Sequence, residues 1–138
     1  MKITKIESWP IELVIQDLPT NGENGAEKVL NVIARVETNK GISGYGCTAL
    51  DVKETKESAH SVQMTIEGII ASIAQGLDPL WISEIMEQLK SYLSDQPCAM
   101  AAFDMALHDI LGKYARLPLW KLLGGYRQQI KTSVTIET

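Results

Sequence analysis

The chain has 138 residues, of which 45% are hydrophobic and 22% charged, and its 17 acidic and 13 basic residues give a net charge of −4. This length fits a single domain, and an acidic balance without any basic run excludes a nucleic acid or an anionic membrane as an electrostatically favoured partner. No apolar run approaches the ~20 residues that span a bilayer and no signal peptide is apparent, so we expect a cytoplasmic protein whose Cys47 and Cys98 thiols form no disulfide.

The first third of the sequence predicts a three-stranded antiparallel meander. Residues 2–15 alternate in character, which places the odd-numbered side chains from Ile3 to Ile15 on one face, and Pro10 favours an edge strand or a bulge. A second strand is expected around residues 30–36, and a third over residues 42–47. Between them, Asn39-Lys40-Gly41 predicts a tight turn in which Gly41 supplies a positive φ.

Helices are predicted in the rest of the chain. Apolar residues recur at three- and four-residue steps in a first helix, at Ala59, Val62, Ile66, Ile69, Ile70 and Ile73. Gly76 provides its stop. Asp78 and Pro79 are expected to open a second helix as its N-cap and first residue. Its apolar stripe consists of Ile82, Ile85, Met86, Leu89, Tyr92 and Leu93.

A third helix is predicted from Pro97 to Ala115, and it is apolar nearly all round. Such a helix is buried on more than one face, either at the centre of the helical layer or between this domain and a second one. A short helical turn from Pro118 follows and is closed by Gly124 and Gly125. A fresh strand pattern begins after residue 130, which suggests the start of a second domain.

The candidate chemical residues are few. Asp104 and His108, spaced i, i+4, fit a histidine oriented by a carboxylate or half of a metal site, but also a buried hydrogen-bonded pair that fixes helix packing. Asp109 and Lys113, with the same spacing, predict an ion pair. The glycine-rich string at residues 41–46 (GISGYG) lies inside a hairpin strand with no helix following directly, which argues against a phosphate loop. The residues alone therefore indicate an α+β domain without a self-sufficient catalytic constellation.

Three strings carry a resemblance to a known family. The glycine-rich strand at residues 41–46, the helix at residues 101–113 (AAFDMALHDILGK) and residues 117–125 (LPLWKLLGG) resemble the N-terminal capping domain of the enolase superfamily. The nearest branch is its muconate-lactonizing (mandelate racemase/muconate lactonizing enzyme) group. The resemblance covers essentially the whole chain and implies a capping domain over residues 1–128, a meander followed by a helical bundle. Residues 129–138 would be the first strand of a truncated (β/α)₇β barrel.

Within this group the chain most resembles the dipeptide epimerases. Residues 46–51 (GCTALD) are similar to a loop of some of them, and residues 125–127 and 131–136 are similar to their entry into the barrel. The implied chemistry is abstraction of the proton α to a carboxylate. It uses Mg²⁺ bound by barrel carboxylates, with lysines on opposite barrel faces as general base and acid. The resemblance places none of these groups in residues 1–138, so the isolated chain is expected to be inactive.

The resemblance also implies where substrate would be contacted. The family's substrate-contacting threonine on the first barrel strand falls on Thr135. Loops around residues 17–27 and 47–53 would close over the barrel mouth and read the distal end of the substrate. The specificity candidates in these loops are Thr20, Asn21, Gly22, Asn24, Cys47, Thr48, Ala49 and Asp51. Residues 17–27 contain no Arg of the kind that some epimerases use to hold an acidic dipeptide.

The partners implied are a small carboxylate such as a dipeptide, the barrel domain itself, and further copies of the protein in a homo-oligomer. Other members with the same kind of cap remain alternatives, namely o-succinylbenzoate synthases, N-acylamino acid racemases and cycloisomerases. A stand-alone binding module and a remnant without activity are the remaining interpretations. An independent module would have no reason to end in an exposed edge strand.

Overall fold

A computed structural model describes residues 1–15, 27–50, 56–127 and 129–132. Three strands come first and a helical layer follows. The strands are β1 (Ile3–Ile15), β2 (Glu27–Thr38) and β3 (Ser43–Ala49). The helices are α1 (Ala59–Met64), a π-helical segment (Thr65–Ile70), α2 (Ala71–Ala74), α3 (Ile82–Lys90), α4 (Pro97–Ala115) and α5 (Leu119–Leu122). None of the helices in the described ranges combines the length and apolar character that a bilayer crossing needs.

The sheet is the predicted antiparallel meander, with strand order β1-β2-β3. Pro10 lies in edge strand β1, as predicted, and the pairing of β1 with β2 is irregular between Ile3 and Lys5. This bulge shifts the alternation by one residue, so that Ile3 shares the buried face with Ile6 and Ser8. The prediction that all odd-numbered residues of β1 share one face is therefore wrong, because a single extra residue reverses every side chain beyond it.

The turn between β2 and β3 forms as predicted. Gly41 has a φ of +71°, which is the left-handed conformation that glycine adopts without steric cost. Its N–H donates to the carbonyl of Thr38 at 3.1 Å, and the Thr38 hydroxyl donates to the carbonyl of Ile42 at 2.9 Å. The side chain of Thr38 therefore closes the hairpin together with the backbone.

The first predicted helix is one continuous rod made of α1, the π-helical segment and α2. Its buried apolar side chains recur every four residues, at Val62, Ile66, Ile70 and Ala74. Ile69 was predicted on this stripe but is 42% exposed. The extra residue in a π-helical turn explains the difference, because it delays the rotation and keeps a four-residue step on the core. Gly76, with a φ of +87°, ends the rod as predicted.

Helix α3 begins later than the sequence indicates. Ile82 is its first residue, whereas Asp78 and Pro79 lie in a preceding turn. The Asp78 carboxylate accepts from the N–H of Leu80 at 3.1 Å and from the Met1 ammonium at 3.1 Å, so it holds a turn and the chain's first residue instead of a helix cap. Ile85, Leu89 and Leu93 of the predicted stripe are buried, while Tyr92 is exposed.

Helix α4 has the bounds that the sequence predicts, Pro97–Ala115. It packs against β2 and β3 on one side and against the helical rod and α3 on others, which confirms burial on more than one face. Its outer surface carries the exposed Ala101 and Met105. The fully buried Phe103 and Leu107 of α4 make it the centre of the core.

Candidate functional site

The specificity candidates that the structure describes lie at the end of β3. Cys47, Thr48 and Ala49 belong to the strand and pair with Ile33, Val32 and Asn31, in that order. The predicted third strand therefore continues two residues further than residue 47, because β2 is long enough to pair with it. Thr48 faces the core and is buried, whereas the side chains of Cys47 and Ala49 are exposed on the other face.

The remaining candidates are Thr20, Asn21, Gly22, Asn24, Asp51 and Thr135. All of them lie outside the described residues. Their assignment as substrate contacts, and that of the three residues in β3, stays a prediction. The strand predicted to begin after residue 130 also falls largely outside the described residues.

Beyond Ala49 the other two strands continue as a two-stranded arm, residues 12–15 and 27–30. Its pairing runs to the pair of Ile15 with Glu27. Leu13 and Val14 point to opposite faces of the arm, and they are 49% and 53% exposed. Lys28 and Glu12 form an exposed ion pair across it at 3.0 Å. The arm therefore presents apolar side chains on both faces, which is typical of a segment that packs against something else.

The glycine-rich string has a structural explanation. A Cβ placed on Gly44 would lie 2.0 Å from the carbonyl oxygen of Ala106, and one placed on Gly46 would lie 1.9 Å from that of Ala102. Both distances are far inside van der Waals contact. The two glycines therefore let α4 rest its backbone directly on β3, and the string is a helix-packing motif rather than a phosphate loop.

Asp109 and Lys113 form the predicted ion pair, at 2.7 Å, and they do more than pair with each other. The Asp109 carboxylate accepts from the backbone N–H of Tyr45 at 2.9 Å. Lys113 Nζ donates to the carbonyl of Ser43 at 2.7 Å. Two side chains of α4 thus satisfy outward-facing backbone groups on the free edge of β3.

Side chains of the helical rod likewise satisfy backbone groups on the opposite edge of the sheet, along β1. Glu67 accepts from the N–H of Ser8 at 2.8 Å and from its hydroxyl at 2.9 Å. The amides of Gln63 and Gln75 donate to the carbonyls of Ser8 and Thr4 at 3.3 Å and 3.1 Å. Glu67 was not singled out from the sequence. A carboxylate on the polar side of a predicted helix is usually exposed, and its partner Ser8 is 59 residues away.

Asp104 and His108 come together, but not as a buried pair. His108 Nδ1 lies 3.4 Å from Asp104 Oδ1 and 3.0 Å from the Asp104 carbonyl, with the two side chains 28% and 38% exposed. They line an open groove of about 840 Å³ between α3 and α4, beside the exposed Trp81. Among the described residues no group of three or more His, Cys, Asp or Glu side chains could hold a metal ion.

The face of the sheet opposite α4 carries a row of charged and polar side chains. Glu7, Arg35 and Tyr45 stand opposite one another in the register of the three strands. Hydrogen bonds from Lys5 and Arg35 lower the pKa of Glu7, and hydrogen bonds with Glu7 and Tyr45 raise the pKa of Arg35. Arg35 also pairs with Glu37 at 2.8 Å. The positive charges of Lys5 and Arg35 therefore balance the negative charges of Glu7 and Glu37 within this cluster.

A buried carboxylate that the sequence analysis did not single out lies at the start of α4. Glu57 is 2% exposed, and its two carboxylate oxygens accept from the N–H groups of Cys98 and Ala99 at 2.9 Å and 3.4 Å. One signal could have indicated it. Helix α4 opens with Gln96-Pro97 and no side-chain cap, so its first N–H groups need an acceptor from elsewhere in the chain.

The comparisons with known proteins agree with this geometry. Residues 21–124 match the family described as the mandelate racemase / muconate lactonizing enzyme N-terminal domain. The chain is 34% identical over 136 residues to an L-Lys-D/L-Arg epimerase of Desulforapulum autotrophicum, covering 99% of this chain and 38% of that protein. It is also 31% identical over 125 residues to an N-succinyl-L-Arg/Lys racemase of Bacillus cereus, covering 91% of this chain and 34% of that protein.

A solved structure shows the same fold. It is a dipeptide epimerase from Enterococcus faecalis complexed with Mg and the dipeptide L-Leu-L-Tyr, and it matches with a TM-score of 0.86 and 31% identity. The match covers 100% of this chain and 39% of that one. The chain therefore belongs to the mandelate racemase / muconate lactonizing enzyme N-terminal domain family of the enolase superfamily. It spans about a third to two fifths of the length of these relatives.

Proposed function

We propose that this chain is the capping and specificity domain of a Mg²⁺-dependent epimerase that removes the proton α to the carboxylate of a dipeptide. The observation that carries the proposal is the match of the whole chain, at a TM-score of 0.86, to part of a dipeptide epimerase complexed with Mg and a dipeptide. The L-Lys-D/L-Arg epimerase among its relatives supports the same reaction class.

Exposed apolar residues support a second domain against which the cap packs. On the arm these are Leu13, Val14 and Leu30. After α4 they are Leu117, Trp120, Leu123, Tyr126 and Ile130. Apolar surface this extensive is unusual on a domain that works alone. We propose that residues 1–128 form the cap and that residues 129–138 begin the barrel on which it sits.

The described residues offer no metal site of their own. We assign the Mg²⁺ ligands and the catalytic lysines to the barrel, as the resemblance to the enolase superfamily implies. The cap's share is to exclude water from the barrel mouth and to contact the distal part of the substrate, through the arm and the end of β3. The specificity residues proposed there are the loop candidates on residues 17–27, together with Cys47, Thr48, Ala49 and Asp51, and Thr135 at the barrel entry.

The test is α-proton exchange in ²H₂O, followed by NMR, with the protein encoded by the whole reading frame that contains this chain. The substrate set contains cationic, hydrophobic and acidic dipeptides, with Mg²⁺ present or removed by a chelator. We expect exchange and epimerisation of at least one dipeptide class with Mg²⁺ and none without it. The 138-residue chain alone is the matched control, and we expect it to leave every dipeptide unchanged.

An N-acylamino acid racemase is the second candidate, because the N-succinyl-L-Arg/Lys racemase of Bacillus cereus is 31% identical to this chain. N-succinyl-L-arginine and N-succinyl-L-lysine are therefore added to the substrate set. Racemisation of these compounds with no exchange in any dipeptide would replace the first proposal by the second. Failure of both substrate classes, in a folded and Mg²⁺-loaded protein, would contradict both.

A further inference from the structure

An asparagine interrupts the apolar end of the sheet face that lies opposite α4. Asn31 occupies the central strand β2, where it pairs with Ile11 of β1 on one side and with Ala49 of β3 on the other. Val29 and Ile33 lie two residues away along β2 and share its face. Asn31 therefore stands among positions that carry apolar side chains.

The amide of Asn31 is nearly buried and weakly hydrogen-bonded. Its exposed fraction is only 6%. The amide nitrogen donates to the carbonyl of Val29 at 3.4 Å, which is long for such a bond. The amide oxygen accepts from the thiol of Cys47, a weak donor, with 3.9 Å between sulfur and oxygen. An amide has two N–H donors and a carbonyl with two lone pairs, so the partners among the described residues use only part of its capacity.

An asparagine in this setting should lower the stability of the fold. Asparagine is depleted in strands, and burial of an amide without full hydrogen bonding is unfavourable. A β-branched apolar residue at position 31 would suit both the strand and its apolar neighbours. Residues that break a local rule in this way are expected at functional sites, where stability is lost for another purpose. The partners of Asn31 on β3 indicate that purpose, because Cys47 and Ala49 are both specificity candidates.

We infer that Asn31 is a positioning residue for substrate specificity, which acts by holding the side chain of Cys47. The Cys47 thiol is exposed on the same face of the sheet and is hydrogen-bonded to the Asn31 amide. Fixing the thiol fixes the shape of the surface that the distal part of the substrate is proposed to meet. Asn31 acts through Cys47, so it affects substrate binding and not proton transfer. This role rests on the proposed function, whereas the contact and its effect on stability can be tested without any activity.

The first measurement is the rate at which iodoacetamide alkylates Cys47 in the 138-residue chain, read from the mass of the peptide that contains Cys47. Asn31→Asp places a negative charge against the thiol and disfavours the reacting thiolate, so we expect the rate to fall by about fivefold or more. Asn39→Asp makes the same change in the exposed turn between β2 and β3. It is the matched control, and its rate should stay within about twofold of the wild type. Equal rates in the two variants, or a faster reaction in Asn31→Asp, would overturn the inference.

The second measurement separates this role from a purely structural one. Asn31→Val replaces the amide by a β-branched apolar side chain, and we expect the Tm of the 138-residue chain to rise by about 3 °C or more. An asparagine whose hydrogen bonds held the sheet together would give the opposite result. A fall in Tm would therefore overturn the inference.

The third measurement uses the protein encoded by the whole reading frame and its best dipeptide. We expect Asn31→Val and Cys47→Ala each to raise KM by about fivefold and to change kcat by less than about twofold. Because Asn31 acts through Cys47, the double variant should have the KM of Cys47→Ala alone. Additive increases in KM would overturn the inference, and so would a fall in kcat with unchanged KM. An inactive wild type would instead contradict the proposed function and leave the alkylation and Tm results standing.

Discussion

Gly46 of β3 and Ala102 of α4 pack backbone against backbone, since a Cβ on Gly46 would lie only 1.9 Å from the Ala102 carbonyl oxygen. Gly44 and Ala106 repeat the contact one helical turn further along, at 2.0 Å. A strand with side chains at these two positions could not approach the helix this closely. The helix thus lies closer to this strand than side-chain packing would allow.

Gly46→Ala should destabilise the domain by about 3 kcal/mol or more, because the new methyl group meets backbone atoms that cannot move aside. The measurement is urea unfolding followed by circular dichroism. Gly68→Ala is the matched control, since Gly68 is helical and has no atom within 4 Å of the added Cβ. That control should stabilise the chain by about 0.5–1 kcal/mol through helix propensity. Similar losses in the two variants would contradict the close contact.

Asp109→Ala should cost about 1 kcal/mol, because it leaves the Tyr45 N–H without its acceptor as well as breaking the ion pair with Lys113. Glu87→Ala breaks the ion pair of Glu87 with Lys90, at 2.9 Å, and is the control. It should cost less than about 0.5 kcal/mol, since an exposed ion pair contributes little. The measurement is the urea midpoint of each variant relative to the wild type. Equal shifts of the midpoint in the two variants would show that the contact of Asp109 with the strand edge contributes nothing to stability.

The cluster around Glu7 should contribute to the loss of stability in acid. The pKa of Glu7 is lowered from its ordinary value of 4.5 by Lys5 and then Arg35, so its contribution is present above pH 4.5 and is lost as the pH falls through the lowered value. Glu7→Gln should therefore lower Tm at pH 7, and the gap from the wild type should close in acid. Tm measured from pH 7 downwards gives the comparison, and a gap that widened on acidification would contradict the assignment.

Thr135→Ala, made in the protein encoded by the whole reading frame, should raise the KM for the best dipeptide by about tenfold, because the proposed contact contributes to binding. Its Tm should stay within about 2 °C of the wild type. Thr132→Ala, the same substitution on the opposite face of the predicted strand, is the control and should change neither quantity. A variant that lost stability with unchanged KM would show that Thr135 is structural.

Some elements could be predicted because local chemistry determines them. The bounds of α4 follow from Pro97 at its start and from a run rich in the good helix formers Ala, Leu and Met. The hairpin turn follows from Gly41 and the stop of the helical rod from Gly76, since few residues tolerate a positive φ. In each case the residue that determines the structure lies inside the element or directly beside it.

Other features depend on partners that are distant in sequence. Asp78 has the composition of a helix cap, but it meets the Met1 ammonium instead, 77 residues away. Glu57 accepts a hydrogen bond from the N–H of Cys98, which lies 41 residues further along the chain. Gly44 and Gly46 pack against α4, and nothing in the sequence around them indicates this contact. The bulge in β1 and the π-helical segment each shift the pattern of buried side chains by one residue. A count of apolar residues at a fixed spacing does not detect a single shift of this kind.

The direct contact between α4 and β3 also constrains whatever the chain does after the helix. Substitutions in an ordinary core change the spacing between elements, because side chains of different volume separate them differently. Here the separation is determined by backbone atoms, which are identical in every sequence. The distance and orientation between β3 and α4 are therefore preserved when substitutions accumulate elsewhere in the core. A segment that continues beyond Arg116 starts from a fixed position relative to Cys47 and Ala49, so the sequence of this domain can diverge while its alignment to that segment is preserved.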